Sequence, residues 1–284
     1  MTKQPFRFTK SNEPLTTDLD HFQKYLTFHN KAPNTIRAYS FAIRQFYELY
    51  PSLTPDTLLL YKCYLMDHYK PTTANLRIRA MNCYLEFKNL PYTKILMIKH
   101  PKRSFLENVI STADYEYLKN CLWRDGRLNY YFAIQIMAGT GLRISELVQL
   151  QVEDIHRGYI DLHSKGNRLR RVYIPKSIRI PCHKWLQDIG RTSGDIFLNR
   201  WGTRVSPNGV RMQLKHFAVL YNLDPSVLYP HSFRHFFAKN FIEQCRDIAM
   251  LSDILGHESI ETTRIYLHRS SSEQQRIFNR IVNW

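Results

Sequence analysis

Arg143, His231, Arg234, His257 and Tyr266 are the side chains whose types and settings suit chemistry on an anion. Arg143 follows Gly139-Thr140-Gly141 and precedes ISELVQL, at the start of a helical pattern, where backbone amides and a guanidinium converge on a negative group. His231 and Arg234 stand one helical turn apart in PHSFRHFF and therefore share a face. His257 closes one helical pattern in LGHESIETTRIYLH, and Tyr266 falls inside the next. Taken singly, each has a plainer reading. An arginine at a helix start is ordinary surface, the H-x-x-R spacing recurs at His100 and Arg103, and Tyr266 is one of 18 tyrosines and suits a core. His231 and His235 have the spacing of a metal-binding pair, but Ser232 stands where a zinc hydrolase has Glu and no third ligand is evident, so no metal site is expected.

The elements that must position these residues are mostly helices. Ile36, Tyr39, Ile43, Phe46, Tyr47 and Tyr50 recur at helical spacing between Pro33 and Pro51, with Arg37 and Arg44 on a different face. From Thr73 onward, Leu76, Ala80, Cys83, Tyr84 and Phe87 form a second stripe, with Arg77 and Lys88 on another face. These two basic faces suit a nucleic-acid groove, although a solvated surface would look the same. Residues 90–104, with two prolines and five basic residues, read as a linker between residues 1–89 and residues 105–284. Two further helices are predicted between Thr112 and Met137. At Gly158 the period changes: Tyr159–His163 and Leu169–Ile174 both alternate, so Ser164-Lys165-Gly166-Asn167 marks a β-hairpin turn with Lys165 at its tip. Helical patterns return near Pro207 and end in an apolar stripe of Ile277, Phe278, Ile281, Val282 and Trp284.

Composition bounds what such a chain does. With 284 residues and 44% hydrophobic content, it has enough material for one large domain or two smaller ones and is not a disordered or low-complexity sequence. Forty Lys and Arg against 24 Asp and Glu give a formal charge of +16, which points to a polyanion, DNA or RNA first. The first hundred residues hold 14 basic and 7 acidic side chains, so the excess is spread along the chain and both halves are expected to touch phosphate. The start, MTKQPFRFTK, has no apolar run of a secretory signal and no stretch is long enough to span a bilayer, so a cytoplasmic protein is expected. Five cysteines without a close pair read as reduced, mostly buried thiols.

Arg143, the hairpin with Lys165, His231 with Arg234, His257 and Tyr266 occur in a fixed order in AGTGLRISELVQL, HSKGNRLRRVYIP, HSFRH and LGHESIETTRIY. As a set, these segments resemble the tyrosine recombinase, or phage integrase, family. The first hundred residues also look like that family's helical core-binding domain, notably in APNTIRAYSFAIRQFYELY. Where many chromosome-dimer resolvases of the Xer type have Gln and Thr, this chain has Arg264 and Leu267. There is no room before Asp18 for the arm-site-binding domain of large phage integrases, which points to a simple two-domain recombinase or resolvase.

The resemblance implies a mainly α fold with a small β-hairpin, in which a core-binding domain and a catalytic domain with a C-terminal helix form a C-shaped clamp on DNA. It implies a reaction without ATP, metal or other cofactor. Tyr266 attacks a phosphodiester and forms a 3′-phosphotyrosine, and Arg143 and Arg234 stabilise the charge that develops. Lys165 is the candidate acid for the leaving 5′-oxygen, His231 accepts the tyrosine proton or binds the phosphate, and His257 donates a hydrogen bond to a phosphate oxygen. Arg37, Arg44, Arg77, Lys88 and Arg168 are the candidate DNA contacts. Paired core sites on double-stranded DNA, a homotetramer working through a Holliday junction, a tail from Ser270 to Trp284 that contacts a neighbour, and nucleoid association follow from the same resemblance. A type IB topoisomerase and a non-catalytic DNA-binding regulator are the alternatives.

Overall fold

The computed structural model describes residues 13–90, 94–99, 108–163, 169–257, 259–267, 275 and 278–282. The chain divides into two compact units, Met1–Lys102 and Arg103–Trp284. Among the described residues the first holds four helices: α1 (Glu13–Phe28), α2 (Pro33–Leu49), α3 (Pro55–His68) and α4 (Pro71–Phe87). Proline opens α2, α3 and α4, where the missing amide hydrogen costs nothing and the fixed φ favours the first turn. Thr54 caps α3 reciprocally with Thr57. Phe22, Leu26, Ile43, Phe46, Tyr61, Leu65, Ile78 and Tyr84 fill the core.

Part of the segment read as a linker is fastened to this unit. Asn82 donates to the carbonyl of Ile95 and accepts from its amide at 2.9 and 2.8 Å, and Asn75 does the same to Ile98 at the same two distances. The two asparagines lie seven residues, or two helical turns, apart on α4 and so hold one extended strand of chain along it. Ile95 and Ile98 pack against the core beneath.

The second unit is built around α6 (Leu128–Thr140), where Phe132, Ala133, Ile134, Ile136, Met137, Ala138 and Thr140 are buried. A helix apolar all round belongs in the middle of a core. Around it stand α5 (Thr112–Arg124), α7 (Ile144–Leu147), α8 (Val152–Arg157), α9 (Lys176–Asp188), α10 (Pro207–Leu220), α11 (Pro230–Cys245) and α12 (Ile248–Leu255). β1 (Tyr159–His163) and β2 (Leu169–Tyr173) form the predicted antiparallel hairpin, with Leu162 opposite Arg170 and Ile160 opposite Val172. The chain is therefore mainly α with a small two-stranded sheet. Tyr266 departs from the prediction in detail. It sits not in an α-helix but in the second of two short 3₁₀ turns, Ile260–Thr262 and Arg264–Leu267.

The thiols are also less buried than expected. Cys121 and Cys182 are buried, Cys83 is half-buried, and Cys63 and Cys245 are exposed on helices. No helix among the described residues is long and apolar enough to cross a membrane.

Candidate active site

Two helix ends meet at the site. α6 stops at Gly141 with φ of +68° and α12 stops at Gly256 with φ of +63°, the left-handed conformation that glycine adopts without penalty. A helix end presents carbonyls with no intrahelical donor. Here guanidiniums take them. Arg234, on the second turn of α11 and 3% exposed, donates to the carbonyls of Gly141 at 2.6 Å and Leu255 at 2.7 Å. Arg143, at the start of α7, donates to the carbonyl of Gly256 at 3.1 Å. The two arginines, 91 positions apart in sequence, are thus fixed on neighbouring carbonyls.

Glu146 organises the rest of the cationic cluster. One carboxylate oxygen accepts from the Arg143 side chain at 2.9 Å; the other accepts from the Arg143 backbone amide and from Arg170, each at 2.8 Å. Arg170 was not among the residues singled out from the sequence, although a signal for it existed. In Leu169-Arg170-Arg171-Val172 the alternation puts Arg170 on the same inward face as buried Val172. A charged residue at an inward position of a strand needs a partner. The Arg170 side chain is 8% exposed, and its Nε and Nη1 have no hydrogen-bond acceptor among the described residues. It lies so close over Gly256 that a Cβ there would stand 2.2 Å from Nη1.

His257 joins the cluster through Arg234. Its Nε2 lies 3.0 Å from Arg234 Nη2, and its Nδ1 lies 2.7 Å from the hydroxyl of buried Thr263. A guanidinium only donates, so Nε2 accepts and Nδ1 carries the proton. This neutral tautomer agrees with a pKa pushed down to about 4 by burial and by Arg234, Arg143 and Arg170. In this state His257 offers no spare N–H to a phosphate, so the donor role expected of it requires a proton or a ring turn. His231, on the first turn of α11, is also shifted down, by desolvation first and then by Arg234, Arg143 and Arg211. Arg234 itself is lowered to about 10, chiefly by burial, and stays charged at neutral pH.

Tyr266 packs in a small cluster with Ala238, Ile242, Leu251 and Leu255, and it is 9% exposed. Burial raises its pKa, and the nearby Arg234 and Arg143 partly offset the rise. Its hydroxyl lies 2.9 Å from Nδ1 of His235, the residue after Arg234. By spacing alone His235 is half of a metal-binding pair with His231, and in the fold its neighbour is the phenol of Tyr266.

Lys165 and Arg168 lie outside the described residues, as do His100 and Arg103. In the N-terminal unit, Arg37 and Arg44 are exposed on α2, with Arg37 donating to Asn34 at 2.5 Å. Arg77 stacks over the rings of Tyr69 and Phe41 at 4.2 and 5.1 Å, and Lys88 pairs with Asp18 at 2.8 Å.

The cluster holds three guanidiniums against one carboxylate. Arg234 keeps two of its five N–H groups without an acceptor among the described residues, so the cluster can bind a singly charged tetrahedral anion beside a phenol. Residues 109–273, which contain all of these side chains, match the model of the phage integrase family. The chain belongs to the phage integrase family. Among curated tyrosine recombinases it is 28% identical to XerA of Pyrococcus horikoshii, with 87% of each chain covered. It is 29% identical to XerC of Herpetosiphon aurantiacus, covering 89% of this chain and 90% of that one. Its fold is similar to that of the XerH site-specific recombinase in a pre-cleavage complex with its difH substrate, at a TM-score of 0.71 and 17% identity over 97% of this chain and 99% of the other. In this member of the family the cluster of guanidiniums lies where α6, α7, α11, α12 and β2 meet.

Proposed function

We propose that the chain is a site-specific DNA recombinase that cuts and rejoins double-stranded DNA through Tyr266. The observation that carries this reading is the buried phenol beside two arginines held by the carbonyls of Gly141, Leu255 and Gly256. A scissile phosphate placed on the unfilled donors of Arg143 and Arg234 gains charge on its non-bridging oxygens as Tyr266 attacks. Fixed guanidiniums then stabilise the transition state more than the ground state. The oxygen of Tyr266 replaces the 5′-oxygen on phosphorus, which makes a 3′-phosphotyrosine and keeps the bond energy for religation. Lys165 is the acid for the leaving oxygen. His231 lies beside the phosphate position, and His257 binds the phosphate once its ring turns or takes a proton. Arg37 and Arg44, with Arg77, Lys88 and Arg168, hold the duplex.

Two such protomers on each of two paired sites would exchange strands through a Holliday junction. The tail beyond Ser270 would seat on a neighbour in that tetramer; Phe278 and Ile281, at 64% and 57% exposure, support this placement. The reading implies an intracellular, nucleoid-associated protein. The alternatives of a type IB topoisomerase and a non-catalytic regulator are not favoured by the family match and relatives.

The test is covalent trapping on nicked suicide duplexes carrying a site selected from random DNA by binding. Wild-type protein is expected to form an adduct, and Tyr266→Phe to bind the same duplex with unchanged affinity and form none. An adduct with that variant would overturn the assignment.

A further inference from the structure

We infer that His235 accepts the proton of the Tyr266 hydroxyl during cleavage and orients that hydroxyl beforehand. The inference rests on the reading of Tyr266 as the nucleophile and deepens it.

His235 lies one position after Arg234 on α11, so the helix that positions the buried guanidinium also fixes the imidazole. Nδ1 stands 2.9 Å from Oη of Tyr266, within the range of a direct proton transfer, and the ring centroids are 5.7 Å apart. Among the described residues no other side chain hydrogen-bonds to that hydroxyl. His257, the other histidine beside Arg234, has both ring nitrogens engaged elsewhere, and His231 faces His235 at 6.3 Å between ring centroids, with no hydrogen bond to Tyr266.

Electrostatics favours the same direction of the bond. Burial, then His231 and Arg234, hold the His235 imidazole neutral, with a pKa near 4 in the DNA-free protein. A neutral ring protonated on Nε2 leaves the Nδ1 lone pair facing the phenol. A phosphodiester bound at Arg143 and Arg234 adds a negative charge nearby and makes the imidazole more basic at the moment of attack.

The step balances. The Oη–H bond of Tyr266 breaks as its proton passes to Nδ1, the Oη–P bond forms, the bond from phosphorus to the 5′-oxygen breaks, and the departing oxygen takes a proton from the acid assigned above to Lys165. Religation runs the same transfers backward, with Nδ1 returning the proton to Oη.

Two measurements on the full chain test this. In the DNA-free protein, ¹⁵N-histidine NMR should show His235 as the Nε2–H tautomer, and its Nδ1 resonance should move in Tyr266→Phe. A His235 protonated on Nδ1 would overturn the assignment. On the selected duplex, His235→Phe should bind within about twofold of wild type but form adducts roughly 10²-fold more slowly, a typical loss for one proton-transfer group. The deficit should persist when a bridging sulfur replaces the 5′-oxygen, because a thiolate leaves without an acid. His235→Asn, which places an amide oxygen near the Nδ1 position, should recover part of the rate. Wild-type cleavage by His235→Phe, or rescue of that variant by the bridging sulfur, would refute the role. Adducts from Tyr266→Phe would refute the nucleophile instead, so the two failures are distinguishable.

Discussion

At the scale of single residues, the site is a set of charges that need one another. Glu146 holds Arg143 and Arg170, and both it and Arg170 are largely removed from water, at 15% and 8% side-chain exposure. Removing one member of such a set leaves uncompensated charge in a poorly solvated place, which costs more than the pair contributes. Glu146→Gln is therefore expected to destabilise the second unit by roughly 3 kcal/mol, read by urea denaturation, whereas Arg170→Met, which leaves Glu146 paired with Arg143, should cost clearly less. Equal losses, or a smaller loss for Glu146→Gln, would contradict this picture. Arg143, Arg234, His257 and Tyr266 were legible from the sequence because their types and order are unusual together. Glu146, Arg170 and His235 were not, because a Glu in the first turn of a helix, an Arg in a hairpin and a second His in a helix each have commonplace readings. Only the inward register of Arg170 carried a usable signal.

At the scale of elements, the patterns that repeat were readable and those that depend on a single contact were not. The stripes of α2 and α4 and the alternation of β1 and β2 follow from burying one face, and they were visible. The course of residues 94–99 depends on two asparagine side chains that reach across to a backbone 13 and 23 residues away. Nothing in LPYTKILMIKHPKRS announces that. Each asparagine replaces a backbone partner on both sides, giving two hydrogen bonds worth about 1 kcal/mol apiece. Asn75→Ala and Asn82→Ala are each expected to lower stability by about 1–2 kcal/mol and to speed tryptic cleavage after Lys94 and Lys99. Unchanged cleavage would mean that the two isoleucines hold the segment by themselves. The two 3₁₀ turns around Tyr266 were misread as a helix for a similar reason: spacing over a few residues does not separate three residues per turn from 3.6.

At the scale of the whole molecule, the excess of basic residues has a cost at low pH. His235 and His257 each have a pKa of about 4 in the folded chain, against about 6.5 in an unfolded one. Between those values the unfolded chain binds two protons that the folded chain refuses, so stability present above pH 6.5 is lost as the pH falls towards 4. The thermal midpoint of the second unit should drop over that window, and it should drop less in a His235→Phe/His257→Asn double variant. Identical pH profiles would remove these two rings from the explanation. The net charge of +16 correctly indicated a polyanion but not which, since charge is set by composition and a reaction by placement.

The supports of Arg234 and Arg143 are drawn from distant stretches of the chain. The two carbonyl partners of Arg234 lie 93 residues before it and 21 after it, and the partner of Arg143 lies 113 residues after that arginine. On the ribosome, Arg143 and Arg234 therefore emerge before the carbonyls of Leu255 and Gly256 that hold them, and both lack these anchors until α12 is made and docked. If Tyr266 is the nucleophile as proposed, strand breakage has to wait for those late-made carbonyls.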